Sequence, residues 1–292
     1  MRPTEQGPYW GNAGTARSLS ARRIPPAPRG RRLHRAHRHR RARTAAHGRP
    51  APRRRHRLEI TGVTRVGKAL ILEFEGLFLV CRFARAGWLV WHDTVPTGPV
   101  RMGKGPLGMR VSLASGAGFD LTEAGTKKNA SVSLVRDLAE VEAIAHAGPD
   151  ALDLSADEFA EVLAGSRSRI KTVLEDQSLI AGIGNAFSDE ILHTAKVSPF
   201  ATAEKVDAGA MYAAMVSVLT SARDALVGLP PSKVKAAKKK LLRVHGRTGE
   251  TCPVCGTTIA EVSFADKSLQ YCPGCQTGDK RLSDRRMDRL LK

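Results

Sequence analysis

The sequence predicts an α+β fold built in three successive parts, and three observations carry that prediction. Strand-like stretches run from Leu58 to Arg136. Helical periodicity takes over from Ser155 to Lys240. Two Cys-x-x-Cys pairs, Cys252/Cys255 and Cys272/Cys275, then bracket a short alternating stretch near the C-terminus. The expected boundaries are 1–57 for an Arg-rich segment, 58–137 for the strand domain, 138–248 for the helical domain and 249–292 for a zinc finger and tail.

At 292 residues and 42% hydrophobic content, the chain has room for one large or two modest domains with real cores. No apolar run is long enough to cross a bilayer, and nothing has the apolar region of a signal peptide. A soluble intracellular protein with no membrane partner is therefore expected. Four of the five cysteines form close pairs and the fifth, Cys81, lies in an apolar run, which favours metal binding over a disulfide framework. The net charge of +19 is unevenly placed, because residues 1–57 hold 17 Arg, no Lys and one acid, Glu5. That segment accounts for +16 and leaves only +3 for the rest.

Residues 1–57 show neither helical nor strand periodicity and cannot bury enough apolar surface to offset their ordering entropy. Three readings stand for them: a disordered tail that neutralises nucleic-acid phosphates, a segment with no selected role, or out-of-frame translation of a GC-rich gene. The third fits best with so many Arg, no Lys and an abrupt change of texture at Leu58. An upstream frame encoding no globular segment would refute it.

From there the chain alternates as strands do. Leu58–Val66, Ala69–Glu75 and Leu77–Phe83 are separated by Gly67 and Gly76, and Trp88–His92, Met109–Ser115, Phe119–Thr122 and Ser131–Arg136 continue the pattern. The expectation is a β-sandwich or barrel. Helices follow. Ser155-Ala156-Asp157-Glu158 is a capping box ahead of Phe159, Val162 and Leu163. Ile170, Val173 and Leu174 share one helical face, Gly182-Ile183-Gly184 breaks that helix, and Asn185 has the residue type of an N-cap for the next. The second helix buries Phe187, Ile191 and Leu192 and is expected to end at Pro199. A glycine turn feeding a helix N-terminus leaves N–H groups outward, which suits a phosphate. Met211, Met215, Val218, Ala222 and Leu226 mark the core face of a long helix. Pro230-Pro231 opens a last helix with Lys233, Lys235, Lys238, Lys239 and Lys240, either a solvated face or a nucleic-acid face.

The two cysteine pairs are separated by sixteen residues, 256–271, in which Val262, Phe264, Leu269 and Tyr271 alternate as in a hairpin. Each Cys-x-x-Cys turn offers two soft ligands, so Cys252, Cys255, Cys272 and Cys275 are expected to hold one tetrahedral Zn2+. Four protein ligands leave no open position, which makes the zinc structural; a redox pair is the alternative.

Ile170-Lys171-Thr172, Asp176-Gln177, Ala181-Gly182-Ile183-Gly184-Asn185 and Asp189-Glu190 resemble the helix–two-turn–helix motif of the formamidopyrimidine-DNA glycosylase/endonuclease VIII family. His245-Gly246-Arg247-Thr248-Gly249-Glu250 and the finger hairpin ending in Tyr271-Cys272 are similar to that family's zinc finger. The resemblance spans about Leu58 to Gln276. It implies a helical domain centred on that motif, and an N-terminal β-sandwich domain partly missing here, its first helix and strands replaced by the Arg-rich segment.

The resemblance also implies a function. Members flip oxidised bases out of duplex DNA, excise them and cut at the abasic site. The attacking group is an N-terminal proline amine, which forms a Schiff base with the sugar, while a neighbouring Glu moves protons. By position, Lys68 matches the family's catalytic β-turn lysine and Asn185 its hairpin phosphate ligand. Lys267 takes the place of a phosphate-clamping Arg, as a point charge without the fork, and His245 stands where many members have Tyr. Lys68, Asn185, His245 and Lys267 are the DNA-binding candidates, and Glu190 matches a structural acid. Duplex DNA with oxidised bases or abasic sites is the implied partner, bound by a monomer in the cytoplasm or nucleoid.

Departures bear on activity. The family begins Pro-Glu-Leu-Pro-Glu after Met, but here Pro3 follows Arg2, so its nitrogen is an amide. Arg85 stands where a Met is common, and Gly125-Thr126-Lys127-Lys128-Asn129 replaces an Arg-Arg-Phe loop. Weak or absent glycosylase activity is therefore expected of this sequence. The second reading is a catalytically impaired, zinc-containing damaged-DNA-binding protein. A third, an RNA-binding zinc protein, would need stacking platforms that three Trp and three Tyr scarcely supply.

Overall fold

The computed structural model describes residues 58–84, 87–97, 107–124, 129–264 and 267–282. The expectations placed on residues 1–57, on Arg85 and on residues 125–128 lie outside the described residues.

The N-terminal part is a two-layered β-sandwich. Its first sheet contains β1 (Gly62–Val66), β2 (Ala69–Phe74), β3 (Leu77–Arg82) and, after the second sheet's strands in sequence, β7 (Ser131–Val135). The second sheet is built of β4 (Gly87–His92), β5 (Leu107–Ser112) and β6 (Gly118–Glu123). The orders are β1-β2-β3-β7 and β4-β6-β5, with antiparallel neighbours throughout. Side chains alternate across a strand, and β2 uses both faces. Leu70 and Leu72 meet Cys81, Leu89, Phe119 and Leu121 between the sheets, while Ala69 and Ile71 pack with Val80 and Val141 on the opposite face.

Most strand ends fall within two residues of the sequence expectation, and two differ by more. β1 starts at Gly62 and not at Leu58, because its partner β2 ends at Phe74 and little ladder remains beyond Thr61 N–H to Glu73 O. β5 stops at Ser112, since Leu113 N–H already bonds Ala117 O around a tight turn with Gly116 at φ +89°.

The short α1 (Glu142–Ala145) leads to α2 (Ala156–Ala164), whose capping box forms as the sequence predicts: Ser155 Oγ accepts from Glu158 N–H and the Glu158 carboxylate accepts from Ser155 N–H. Next come α3 (Ile170–Glu175), α4 (Asn185–Thr194), α5 (Ala208–Leu226) and α6 (Pro231–Leu241). Phe159, Leu163, Ile170, Leu174, Ile191, Leu192, Met211 and Met215 make one buried core from α2 to α5. The Met stripe of α5 is thus core, as its period indicates.

Two helix-end expectations need correction. Asn185 is the first helical residue and the N-cap is Gly184, which has no side chain to cap with; the Asn185 amide bonds the Ser268 carbonyl instead. The same helix ends at Thr194, before Pro199, where Lys196 takes a left-handed φ of +55° and Val197 N–H returns to Leu192 O. The chain closes with the hairpin β8 (Ala260–Ser263) and β9 (Ser268–Tyr271), then the one-turn α7 (Pro273–Gln276).

Candidate nucleic-acid interface and metal centre

Between α3 and α4 the chain makes two tight turns held by one side chain. Gln177 donates to Glu175 O at 2.9 Å and Ile183 O at 2.8 Å, and its carbonyl accepts from Gly182 N–H at 3.1 Å. Gly182 has φ +102°, and a Cβ there would sit 3.3 Å from the Asp150 carboxylate. That close approach is what the glycine allows.

Asp150 ties the strand domain to this turn. Arg65, on β1, donates to Asp150 Oδ2 at 2.6 Å and to Gly67 O at 2.7 Å. The β1–β2 turn is thereby pressed onto Ala181, whose Cβ is 3.3 Å from where one on Gly67 would be. Lys68, next in that turn, has its Nζ 3.8 Å from the position of a Cβ on Gly184. An ammonium thus lies beside the N-terminus of α4, whose first N–H groups have no acceptor within the helix. A cation next to the positive end of a helix dipole favours an anion there.

The finger reaches the same place from the other side. Asn185 Nδ2 donates to Ser268 O at 2.8 Å, and its Oδ1 is buried without a partner among the described residues. Lys267 Nζ lies 2.8 Å from Glu175 Oε2. The buried Lys171 bonds Glu175 at 2.9 Å, Asp189 at 2.7 Å and Ser188 Oγ at 2.7 Å. Burial alone would raise the Glu175 carboxyl, but Lys171 and Lys267 outweigh it and hold it below its ordinary value. His245 Nδ1 lies 2.7 Å from Asp189 Oδ2. Glu190 accepts three main-chain N–H groups, from Arg243 at 2.8 Å, Val244 at 3.0 Å and His245 at 2.9 Å. Burial still lifts its carboxyl above the ordinary value, and Asp189 beside it adds to the rise.

The lysine helix α6 is not uniformly solvated. Lys238 lies over the Phe187 ring at 5.3 Å and Lys235 over Trp88 at 5.7 Å. Burial pushes the Lys238 ammonium down to about 8. Lys233, Lys239 and Lys240 remain exposed.

The four cysteines converge. Cys252 Sγ is 3.9 Å from Cys275 Sγ, and Cys255 Sγ is 3.2 Å from Cys272 Sγ. Zinc–sulfur bonds of about 2.3 Å at tetrahedral angles put sulfurs about 3.8 Å apart, so the donor set fits one zinc ion. A fifth donor was not legible in the sequence: His193 Nε2 lies 3.4 Å from Cys252 Sγ, and its ligand atom lies within 4.8 Å of those of Cys252, Cys272 and Cys275. Burial, then the nearby Arg243 charge, keep this imidazole's pKa below its ordinary value.

The sequence candidates therefore fall in two groups. Lys68, Asn185 and Lys267 gather around the α3–α4 turn, with His245 one layer behind on Asp189; the cysteines form the metal centre. Missed were Glu175, His193 and the Arg65–Asp150 bridge. Glu175 was visible only as one more acid before Asp176, and His193 as a lone histidine on an apolar helix.

Comparison with known proteins agrees with this layout. Residues 147–227 match the formamidopyrimidine-DNA glycosylase H2TH domain, and residues 249–278 the zinc finger found in FPG and IleRS. An uncharacterized formamidopyrimidine-DNA glycosylase-like protein of Mycobacterium tuberculosis is 61% identical over 148 residues, which is 50% of this chain and 94% of that one. The formamidopyrimidine-DNA glycosylase of Desulforamulus reducens is 31% identical over 228 residues, 73% of this chain and 79% of its own. Among solved structures, MutM (Fpg) of Thermus thermophilus has a TM-score of 0.63 at 25% identity, over 77% of this chain and 85% of that one. The Lactococcus lactis enzyme noncovalently bound to DNA with an abasic site has a TM-score of 0.62 at 25% identity, over 75% and 82%. The finger match and the cysteine cluster together identify a structural zinc site.

Proposed function

This chain belongs to the formamidopyrimidine-DNA glycosylase family, and on that premise we propose that it acts on duplex DNA carrying oxidised bases or abasic sites. The observation that carries the reading is the meeting of three elements at one point. The β1–β2 turn brings Lys68, the start of α4 brings Asn185 and N–H groups with no acceptor within the helix, and the finger hairpin brings Lys267. Cations and helix N–H groups on one side of a turn suit consecutive backbone phosphates, which supply affinity and a steep salt dependence.

The chemistry of the family is excision of the base followed by strand cleavage through a Schiff base. An amine attacks the anomeric carbon of the sugar, the base departs with its bonding pair, and the imine so formed acidifies the neighbouring C–H for elimination of the phosphate. The family's amine is an N-terminal proline. Pro3 of this sequence follows Arg2 and has only an amide nitrogen. The second reading is damaged-DNA binding with weak or no excision.

Borohydride trapping on a duplex with one abasic site separates the two. Borohydride reduces the imine to a permanent cross-link, which peptide mass mapping then locates. A cross-link at the yield of an intact family member supports the enzyme and identifies its amine, with Lys68 to be tested first by Lys68→Ala. Binding without cross-linking supports the binder. Neither binding nor cross-linking would overturn both.

A further inference from the structure

The geometry points to a zinc centre shared between the finger and the helical domain: His193, on α4, donates its Nε2–H to the Cys252 thiolate. This rests on the four-cysteine reading of the metal site.

The ligand atoms of His193, Cys252, Cys272 and Cys275 lie within 4.8 Å of one another, and Cys255 Sγ lies 3.2 Å from Cys272 Sγ, so five donors compete for four positions. Cys252, Cys255, Cys272 and Cys275 offer sulfur, and His193 Nε2 lies 3.4 Å from Cys252 Sγ. The His193 residue is 2% exposed, and its Nδ1 has no partner among the described residues. That orphan nitrogen decides the role. If Nε2 bound the metal, Nδ1 would carry the ring hydrogen, and a ligating histidine nearly always passes that N–H to an acceptor. None is present among the described residues. If Nε2 carries the hydrogen and gives it to sulfur, Nδ1 is a bare acceptor, and buried acceptors go unsatisfied more readily than buried donors.

The centre needs such donors. Four thiolates on one dication leave a doubly negative cluster, and Cys252 and Cys272 are almost wholly buried. Cys255 is served by the hydroxyl and N–H of Thr257, and Cys272 by the N–H of Cys275. The His193 ring gives Cys252 a donor in the same way. The contact also has mechanical content. The helix that carries His193 starts at Asn185, on Ser268, and holds Glu190 under residues 243–245. The thiolate bond is therefore a further tie between α4 and the finger.

The test uses the full chain, loaded with zinc or cobalt, and three variants: His193→Phe, His193→Gln and Cys255→Ser. Expected are one metal ion per chain and four-thiolate charge-transfer intensity with cobalt in the parent, His193→Phe and His193→Gln chains. His193→Phe should weaken zinc affinity by about 10- to 100-fold in chelator competition. His193→Gln, which keeps an N–H at similar reach, should recover most of that loss. Cys255→Ser should drop one thiolate from the spectrum. Equal zinc affinity in the parent and His193→Phe chains would overturn the inference. So would a three-thiolate spectrum of the parent that Cys255→Ser leaves unchanged, since His193 would then be a ligand. A parent chain without metal would overturn the four-cysteine reading itself. If His193→Phe does not fold, the parent cobalt spectrum and the His193→Gln affinity still decide.

Discussion

Lys267 and Glu175, separated by 92 residues in sequence, meet at 2.8 Å and tie the tip of the finger hairpin to the last residue of α3. The lysine proposed to grip a phosphate is therefore already held by a carboxylate. A phosphate that engages Lys267 must compete with Glu175. Glu175→Gln is expected to tighten binding to abasic-site duplex by about two- to fivefold, the worth of a partly exposed ion pair. Lys267→Ala should lower the salt slope of binding by about 1. Titrations at several salt concentrations check both, and unchanged values in both variants would remove Lys267 from the interface.

Acid should loosen the sandwich through Asp120. Arg110 grips this carboxylate at 2.7 and 2.8 Å and His92 lies 3.0 Å away. The Arg110 bonds come first in holding the carboxyl below its ordinary value, burial opposes them, and His92 adds to the lowering. A carboxyl depressed in the folded state contributes stability above its unfolded pKa of about 4, and that stability is lost as pH falls through the lower folded value. The urea midpoint read from the fluorescence of Trp88 and Trp91, both on β4, should fall below about pH 4. Asp120→Asn should flatten that fall and lower the midpoint at neutral pH.

Chelation should act beyond the finger. Binding energy in small metal modules is folding energy. Stripping zinc is expected to unfold residues 249–278, and with them the Ser268 carbonyl that receives Asn185. Duplex binding should then fall together with metal content, measured by metal analysis on the same samples. Binding that persists undiminished in metal-free protein would contradict a role for the finger.

Gly182→Ala should be costly. The residue has φ +102°, and the new methyl would lie 3.3 Å from the Asp150 carboxylate. Alanine at such a φ destabilises by more than about 1 kcal/mol. In a domain of this size each kcal/mol lowers Tm by about 2–4 °C. Asp150→Ala should not rescue it, because the backbone strain remains. A Tm within 1 °C of the parent, where about 2 °C or more is expected, would show that the turn relaxes.

Features carried by local pattern were legible in the sequence. The Ser155–Glu158 box, the glycine break at 182–184, the period of α5 and the cysteine spacing each imply their structure within a few residues. What could not be read depends on partners far along the chain. Arg65 finds Asp150 across 85 positions and Glu175 finds Lys267 across 92. No period or motif encodes such a meeting. Asn185 shows the conflict within one residue. Its type suits an N-cap, but the finger offers the Ser268 carbonyl, and the tertiary bond replaces the local one. His193 reads as core on its helix and becomes a metal-site residue only because Cys252 arrives beside it.

Glu190 holds the segment leading into the finger by its main-chain N–H groups, at Arg243, Val244 and His245. Every residue but proline offers that same group. The anchor therefore recognises the path of the chain and not its lettering. The Arg243 side chain can change without touching this anchor, whereas His245 adds a ring contact of its own to Asp189. A proline at any of the three positions would remove one of these N–H groups and unfasten the joint.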